Sequence, residues 1–245
     1  MGKNKINYLL RAVAAKFAEL PRGKVFDSGC GDGDYSAALK KQGFDVVAGD
    51  IDKARFRYAG EIPFAYCDIT KALPFPDSTF DYVVLMEVVE HLRNPYDVLA
   101  ELSRIIKNKG SLILSTPNIL NLKSRLRFLL EGAYEYFREP PLDQIKNPKE
   151  KIFNLHLVPY RYQELEYLLS AGGFEIVDIF SSVYEGYAMG VFVPLMRRQA
   201  FSKERRAIKK GGIDYRRINK ILLSKEILFG RHLIIRAEKV AGLPQ

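Results

Sequence analysis

Short runs of β-branched and aromatic residues alternate with helical patterns through much of this chain. Such alternation is typical of βα units wound around a parallel sheet. Leu112, Ile113 and Leu114 form an unbroken apolar run, as expected for a strand covered on both faces. The pattern predicts an α/β protein with strands at Lys24–Asp27, Asp45–Asp50, Pro63–Cys67, Phe80–Met86, Ser111–Thr116, Phe174–Phe180 and Ile227–Glu238. Helices are expected at Asp34–Gln42, Lys53–Tyr58, Tyr96–Lys107 and Arg161–Ser170, with an amphipathic helix at the N-terminus.

Two segments interrupt this rhythm and are expected to be insertions into one domain that spans residues 1–245. Residues 119–158 begin with leucines at helical spacing and continue into an aromatic, proline-bearing stretch, which predicts a cap. Residues 184–224 hold an apolar run followed by many basic residues. We expect the core pattern to resume between the two insertions and after the second.

The positive charge of the chain is concentrated in the second insertion. The formal net charge is +9, and residues 197–220, called the basic stretch below, carry ten basic side chains against only Glu204 and Asp214, a local charge of +8. Such a stretch can bind the phosphates of RNA, an anionic membrane surface, or merely keep a helical face solvated. The absence of an aromatic RNA-binding motif or zinc-finger spacing disfavours nucleic acid.

The cysteine content and the lengths of the apolar runs bear on where the protein works. Cys30 and Cys67 are too few for a disulfide framework or a four-cysteine zinc site. We therefore expect a reducing, cytoplasmic setting and no metal site. No segment approaches the roughly 20 apolar residues that span a bilayer, so no transmembrane segment is expected. The sequence leaves the oligomeric state open.

The most informative motif is a glycine-rich turn between the first predicted strand and the first helix of the sheet. Gly29, Gly31 and Gly33, whose segment is called the glycine loop below, let the backbone turn tightly and approach a ligand closely. Asp50 ends the next strand, 19 residues after Gly31. A spacing of about 20 residues is typical of a carboxylate that binds a ribose in nucleotide-binding βαβ units.

The charges of the loop indicate which nucleotide it binds. The carboxylates Asp27, Asp32 and Asp34 lie in and beside the turn. They would repel the pyrophosphate of a dinucleotide but suit a ligand with a positive amino group. An aminoacyl-type nucleoside is therefore favoured, and an NAD-dependent oxidoreductase on a similar sheet remains the alternative.

The motifs together resemble those of the class I S-adenosylmethionine-dependent methyltransferases. They are Asp27-x-Gly29-x-Gly31-x-Gly33, Gly49-Asp50, Asp68, the segment from Leu73 to Val83, Glu87-Val-Val-Glu-His91 and Ser115-Thr-Pro-Asn118. The last two are similar to the branch of the family that acts on small molecules. The resemblance is close over residues 20–118, looser over 156–180 and thin elsewhere.

This resemblance implies a Rossmann-like, doubly wound sheet of seven strands, mostly parallel with an antiparallel last strand. Helices are expected on both faces, and the insertions form a cap. The implied cofactor is S-adenosylmethionine, with S-adenosylhomocysteine as product. The residues implied to bind it are Asp27, Gly29, Cys30, Gly31 and Gly33 at the methionine moiety, Asp50 at the ribose, Ile51, Asp68 and Ile69 at the adenine, and Met86 and Glu87 at the sulfonium.

Two histidines are candidates for the catalytic base. A sulfonium methyl group is already activated, so such an enzyme mainly aligns donor and acceptor, and a hydroxyl acceptor also benefits from a base. His91 follows the Met86–Glu87 strand end, and His156 precedes a core helix. Both can act as neutral imidazoles near the working pH. His232 is expected to be structural, and neither cysteine is a persuasive nucleophile.

These observations favour methyl transfer to a small molecule, at oxygen, by in-line displacement. The acceptor is expected to be a saccharide or an amphipathic metabolite, because residues 126–132 look similar to methyltransferases of bacterial glycan and lipid-linked sugar pathways. Two alternatives stay open. The chain could methylate RNA or protein with the help of the basic stretch, or bind a nucleoside without catalysis.

Overall fold

The computed structural model of the protein describes residues 3–138, 156, 158–209 and 214–240. Its centre is one seven-stranded sheet in the order β3-β2-β1-β4-β5-β7-β6. The strands are β1 (Lys24–Ser28), β2 (Asp45–Asp50), β3 (Phe64–Tyr66), β4 (Phe80–Met86), β5 (Ile106–Pro117), β6 (Phe174–Phe180) and β7 (His232–Lys239).

The direction of the strands confirms the expected fold class. β1 to β5 pair in parallel, and β7 runs antiparallel between β5 and β6. The order reverses beside β1, and ligands of open α/β sheets bind at such a point, beyond the carboxyl ends of the strands. The glycine loop follows β1 at this edge of the sheet.

Helices cover both faces of the sheet. They are α1 (Lys3–Ala18), α2 (Asp34–Lys41), α3 (Pro95–Ile105), α4 (Leu122–Glu131), α5 (Tyr162–Ala171), α6 (Val193–Lys209), α7 (Arg216–Leu222) and α8 (Lys225–Phe229). Short 3-10 turns lie at Lys53–Arg55, Val89–His91 and Tyr187–Phe192. No helix in the described ranges is long and apolar enough to cross a membrane.

The two faces of the sheet carry separate cores. Leu112 and Leu114 pack with residues of α3 and α5 on one face, whereas Ile113 packs with residues of α1 and α2 on the other. All three side chains are at most 1% exposed. Successive residues of a strand point to opposite faces, so the unbroken apolar run reflects burial on both sides.

The structure corrects three predicted element boundaries. The predicted helix Lys53–Tyr58 is only the 3-10 turn Lys53–Arg55. The predicted strand Ile227–Glu238 begins at His232, because Ser224 caps α8 and its hydroxyl accepts from the Ile227 amide at 3.4 Å. Helix α3 ends at Ile105 because the chain enters β5 there. Lys109 therefore lies within that strand, with φ of +63°.

The predicted insertions fall partly outside the described residues. In the first, α4 follows the leucine spacing and ends at Gly132, whose φ is +71°, while residues 139–155 and 157 lie outside the description. The second contains α6, α7 and α8. The division into one domain with a cap and a basic insertion stays a prediction.

Candidate active site

The glycine loop is held by its own backbone against the end of β2. The amides of Gly29 and Cys30 donate to the Gly49 carbonyl at 2.8 and 3.0 Å. Gly29, Gly31 and Gly33 all have positive φ, at +72°, +53° and +85°. Side chains with a Cβ rarely adopt that conformation, so the shape of the loop depends on these glycines.

The three glycines differ in what surrounds them. A Cβ on Gly33 would lie 2.5 Å from the Phe56 ring, and one on Gly29 would lie 2.9 Å from a Val88 methyl. A Cβ on Gly31 would meet nothing nearer than the Arg55 guanidinium at 3.5 Å. The chain's own packing fills the space beside Gly29 and Gly33, whereas the space beside Gly31 is open to a ligand.

Asp50 connects the glycine loop to the end of β2. One carboxylate oxygen accepts from the Gly31 amide at 2.8 Å, and the other accepts from the Asp52 amide at 2.8 Å. A carboxylate offers about four lone-pair sites, so capacity remains for the hydroxyls of a ribose. Ile51 follows with 40% of its surface exposed, which leaves an apolar surface beside that carboxylate.

The acids of the loop are neutralised more than the sequence suggested. Asp32 pairs with Arg55 at 3.2 Å, and Asp34 pairs with Arg57 at 2.5 Å and accepts from the Tyr58 hydroxyl at 3.2 Å. These pairs weaken the repulsion of a pyrophosphate that we attributed to Asp32 and Asp34. The preference for a positive amino group therefore depends on the other carboxylates of this edge.

Asp27 is the most buried of those carboxylates. It lies on β1 with 1% of its surface exposed and accepts from the Ser36 hydroxyl at 2.5 Å. Burial raises its pKa to about 6, and the hydrogen bond from Ser36 opposes that rise. A cationic group placed beside Asp27 would favour the ionised form.

The region after β3 is ordered around Asp68. Its carboxylate accepts from the Thr70 hydroxyl at 2.7 Å and from the Thr70 amide at 3.0 Å, and these bonds lower its pKa. Ile69 packs against the core, and Cys67 is buried. Asp68 thus stabilises the turn at Ile69 and Thr70, and its half-buried side chain still reaches solvent.

The two cysteines have environments that suppress the thiolate. Burial raises the pKa of the Cys30 thiol far above its ordinary range and that of Cys67 to about 11. Nucleophilic cysteines have lowered pKa values. Both thiols therefore behave as apolar packing groups, in agreement with the sequence analysis.

The end of β4 turns sharply at the predicted sulfonium side. Met86 is buried, and Glu87 has φ of +54°, which is strained for a residue with a side chain. The Ser115 hydroxyl donates to the Glu87 carboxylate at 2.8 Å, and His232 Nε2 lies 3.9 Å from that carboxylate. His232 is the first residue of β7. It therefore lies at the same edge of the sheet as Glu87.

The structure brings His91 and His156 together, although they are distant in the sequence. Their ring centroids lie 4.9 Å apart, and we call them the histidine pair. His156 Nδ1 is 2.8 Å from the Tyr136 carbonyl, and the Val158 amide donates to the Glu90 carbonyl at 3.2 Å. The contact of Val158 lies beside the 3-10 turn of His91, and that of His156 connects it to the aromatic stretch of the first predicted insertion.

Sequence reasoning missed Glu90, which is adjacent to the histidine pair. Its side chain is 0% exposed, and neither carboxylate oxygen has a hydrogen-bond partner among the described residues. Burial and the Glu87 carboxylate raise its pKa well above the ordinary value. The nearby Thr116 hydroxyl acts in the opposite direction, although it forms no hydrogen bond with Glu90. Glu90 lies in the Glu87-Val-Val-Glu-His91 motif, so its position was visible in the sequence, whereas its burial depends on tertiary contacts.

Tyr136 belongs to the aromatic stretch of the predicted cap, and Arg231, which the sequence analysis did not single out, contacts it. The Tyr136 hydroxyl accepts from Arg231 Nε at 2.6 Å, and its ring stacks on His232 with centroids 6.4 Å apart. Arg231 pairs with Glu185 at 3.1 Å, and Glu185 also lies 3.5 Å from Lys123 on α4. This chain of contacts places parts of both predicted insertions at the edge that carries the histidine pair.

Two surface cavities lie outside this constellation. One of about 300 Å³ is lined by Pro21, Asp81 and Ser111, at the opposite ends of β4 and β5. The other, of about 460 Å³, lies between α3 and α5 and is lined by Tyr96, Tyr160 and others. The glycine loop lines neither, so the candidate site is defined by its chemical groups.

Comparison with known proteins shows which proteins the chain is similar to. Residues 26–114 match the model of a methyltransferase domain. The chain is also similar to a ubiquinone biosynthesis O-methyltransferase of Rickettsia bellii (strain OSU 85-389), with 28% identity over 186 residues. That alignment covers 68% of this chain and 77% of the relative.

Solved structures give the same fold. A SAM-dependent methyltransferase from Archaeoglobus fulgidus superposes with a TM-score of 0.60 at 18% identity, covering 97% of this chain and 95% of the other. A possible histamine N-methyltransferase from Thermotoga maritima gives 0.58 at 16% identity, covering 96% and 90%. At such identities the likeness shows the fold alone, and the acceptor must be argued from the site.

Proposed function

Because this chain belongs to the class I S-adenosylmethionine-dependent methyltransferases, we propose that it transfers the methyl group to a hydroxyl of a small-molecule acceptor. The enzyme uses S-adenosylmethionine and releases S-adenosylhomocysteine. The observation that carries the choice of acceptor atom is the histidine pair at the strand ends. An amine acceptor needs no strong base once it is neutral, whereas a hydroxyl benefits from one.

The cofactor is proposed to lie across the glycine loop. Asp50, beside Gly31, would accept from the ribose hydroxyls, and the exposed Ile51 would pack on the adenine. Asp68 would accept from the adenine amino group, and Ile69 would pack beside the adenine ring. Asp27 would bind the amino group of the aminoacyl end, since a cation favours its ionised form, and the open space beside Gly31 would let the ligand approach the loop.

The methyl group is proposed to leave toward the histidine pair. Met86 and Glu87 lie at the end of β4, between the glycine loop and the turn that carries His91. The acceptor oxygen would attack the methyl carbon in line with the breaking carbon–sulfur bond, whose electrons stay on sulfur. His91 or His156 would take the proton of the hydroxyl, and the pair is the proposed catalytic base.

The acceptor is proposed to be amphipathic. Leu129 on α4 and Val191 in the 3-10 turn are 79% and 75% exposed, and α6 continues with exposed Leu195 and Phe201. Contacts through Lys123 and Glu185 connect these segments to the edge of the histidine pair. Exposed apolar side chains in these segments favour an apolar ligand or a lipid surface, and a saccharide with an apolar carrier fits the same description.

The experiment is a methyl-transfer screen with isotopically labelled S-adenosylmethionine. Lipid-soluble, water-soluble, RNA and protein fractions are offered separately, and labelled products are identified by mass spectrometry and NMR. The proposal predicts an O-methyl product in the lipid-soluble fraction. Label confined to RNA or protein would refute it, as would a methyl group on nitrogen. A chain that binds S-adenosylhomocysteine but labels no fraction would support the non-catalytic alternative.

A further inference from the structure

Three side chains beside the proposed acceptor side combine ligand types that bind metal ions. Glu90, His91 and His156 each place one ligand atom within 4.8 Å of the other two. Two imidazoles and a carboxylate form a donor set typical of zinc and of other divalent transition ions. We found no second cluster of this kind in the described parts of the chain.

The buried carboxylate of Glu90 makes no hydrogen bond or ion pair among the described residues that would stabilise it. A carboxylate that is 0% exposed and accepts no hydrogen bond from a described residue is costly in a folded protein. A buried polar group of that kind calls for an explanation such as an ion. A cation between Glu90 and the histidine pair would supply the missing partner.

His156 is already oriented as a metal ligand. Because the Tyr136 carbonyl can only accept, His156 Nδ1 must carry the proton that is donated to it at 2.8 Å. The lone pair on Nε2 is then available for a ligand. Metal-binding histidines typically donate their other ring N–H to a carbonyl or carboxylate, which fixes the tautomer and the ring orientation.

From this geometry we propose that Glu90, His91 and His156 bind one divalent transition-metal ion. Ligand bonds of about 2.1 Å place donor atoms on one ion within about 4.2 Å of each other. The present separation of at most 4.8 Å is therefore close to what binding needs, and small side-chain rotations complete it. The sequence analysis expected no metal because it considered cysteine, which this donor set does not contain.

Three protein ligands leave positions on the ion for an acceptor hydroxyl. This catalytic use rests on the proposed function, whereas metal binding itself does not. A divalent cation lowers the pKa of a bound oxygen donor, so the hydroxyl would release its proton to solvent before the oxygen attacks the methyl carbon. Imidazoles whose lone pairs bind the ion cannot also be the base, so with the ion bound the two histidines would favour a hydroxyl acceptor through the ion, and without it they would take the proton themselves.

The test measures metal binding directly on the full chain after treatment with EDTA. Mn²⁺ is titrated and followed by electron paramagnetic resonance, and Zn²⁺ is titrated by calorimetry. We expect one ion per chain, with affinity reduced at least tenfold in Glu90→Gln and in His156→Ala. His232→Gln removes the third histidine of the chain and should retain the ion. Binding of S-adenosylhomocysteine to each variant reports whether it is folded.

The outcomes separate this inference from the proposed function. Absence of stoichiometric binding, or binding that survives both Glu90→Gln and His156→Ala, overturns the metal site, and O-methylation that persists in EDTA would then leave the function intact. Stoichiometric binding lost in both variants supports the site even if no O-methyl product is found, in which case the proposed function fails.

Discussion

At the scale of single residues, Asp50 has two roles in this account. Its carboxylate orders the glycine loop through the Gly31 amide and is proposed to bind the ribose. Charge-assisted hydrogen bonds contribute about 1.5–3 kcal/mol. Asp50→Ala should therefore weaken binding of S-adenosylhomocysteine by roughly 10- to 150-fold in calorimetry.

The matched control is Asp45→Ala, at the exposed start of the same strand. It removes a carboxylate from β2 without touching the glycine loop, so cofactor affinity should not change. Equal affinity in Asp50→Ala and in the parent protein would remove the proposed ribose contact.

The raised pKa of Asp27 predicts that the free energy of unfolding depends on pH. Its folded pKa of about 6 exceeds the ordinary value of 3.8, so its contribution to the free energy of unfolding is fully present below pH 4 and is lost as pH rises through 6. A shift of this size corresponds to about 3 kcal/mol. Asp27→Asn should therefore be more stable than the parent at pH 8 and lose this pH dependence, while binding the cofactor more weakly.

Urea denaturation at pH 4, 6 and 8 measures this effect. The difference between variant and parent should grow with pH across that interval. If the two proteins show the same pH profile, Asp27 does not titrate as its burial implies. An unchanged cofactor affinity would separately refute its proposed contact with the aminoacyl end.

His156→Ala should act on turnover rather than on the cofactor. At the proposed acceptor side the imidazole would either take the proton or bind the ion that lowers the pKa of the hydroxyl, so kcat should fall by about 10²- to 10⁴-fold, with cofactor affinity unchanged within about twofold. Steady-state kinetics and calorimetry measure the two quantities. If neither changes, the histidine has only a structural role.

Residue identity and spacing predicted part of this site. The strand end at Asp50 and the glycine positions follow from local patterns, and the structure has them in the expected elements. The pairing of Asp32 with Arg55 and the approach of His156 to His91 depend on tertiary contacts between distant segments. Such contacts carry no local signal, so the charge of the loop was overstated and Glu90 was missed.

At the scale of elements, substitutions at different glycines of the glycine loop should have different effects on stability and on cofactor affinity. Gly33→Ala introduces both a positive-φ side chain and a 2.5 Å contact with Phe56, whereas Gly31→Ala introduces only the positive φ. A positive φ costs about 1–2 kcal/mol, and overpacking adds about 1–3 kcal/mol. We expect Gly33→Ala to lose stability by both terms, and Gly31→Ala to lose cofactor affinity with only the smaller loss of stability.

Gly60→Ala is the control for backbone strain, because Gly60 has φ of +92° and a Cβ there would meet nothing within 4 Å. Urea denaturation should show the same loss for Gly60→Ala and Gly31→Ala, and a greater one for Gly33→Ala. Gly31→Ala should weaken cofactor binding, whereas Gly60→Ala should not. Equal cofactor affinity in both would show that the ligand does not approach Gly31.

Element boundaries failed where local and tertiary signals differ. The strands of the sheet interior were predicted well because a strand that is buried on both faces needs consecutive apolar residues, which are visible in the sequence. The apolar residues Ile227 and Leu228 resemble part of a strand in the sequence, yet they lie in helix α8, and their side chains are buried. The Ser224 cap was a local signal for that helix, and the apolar content concealed it.

At the scale of the whole molecule, the basic stretch is partly neutralised by the fold. Arg217 pairs with Glu166 on α5, and Arg216 pairs with Asp214. The basic side chains of α6 lie instead beside exposed Leu195 and Phe201. Basic residues next to exposed apolar ones are typical of helices that lie on anionic membranes.

We therefore expect the protein to sediment with vesicles rich in phosphatidylglycerol more than with phosphatidylcholine vesicles. The difference should shrink between 0.1 and 1 M salt, as the Debye length falls from about 10 to 3 Å. Leu195→Glu should reduce sedimentation, whereas Tyr167→Glu, an exposed aromatic on α5, should not. Salt-dependent RNA binding without vesicle binding would favour the nucleic-acid alternative.

The direction in which the cofactor lies across the sheet edge decides whether its methyl group faces the histidine pair. A crystal structure of the complex with S-adenosylhomocysteine tests this directly. It should show the ribose hydroxyls on Asp50 and the sulfur between Met86 and the histidine pair. A ligand whose adenine faces the histidine pair, or whose sulfur points away from it, would contradict the proposed transfer.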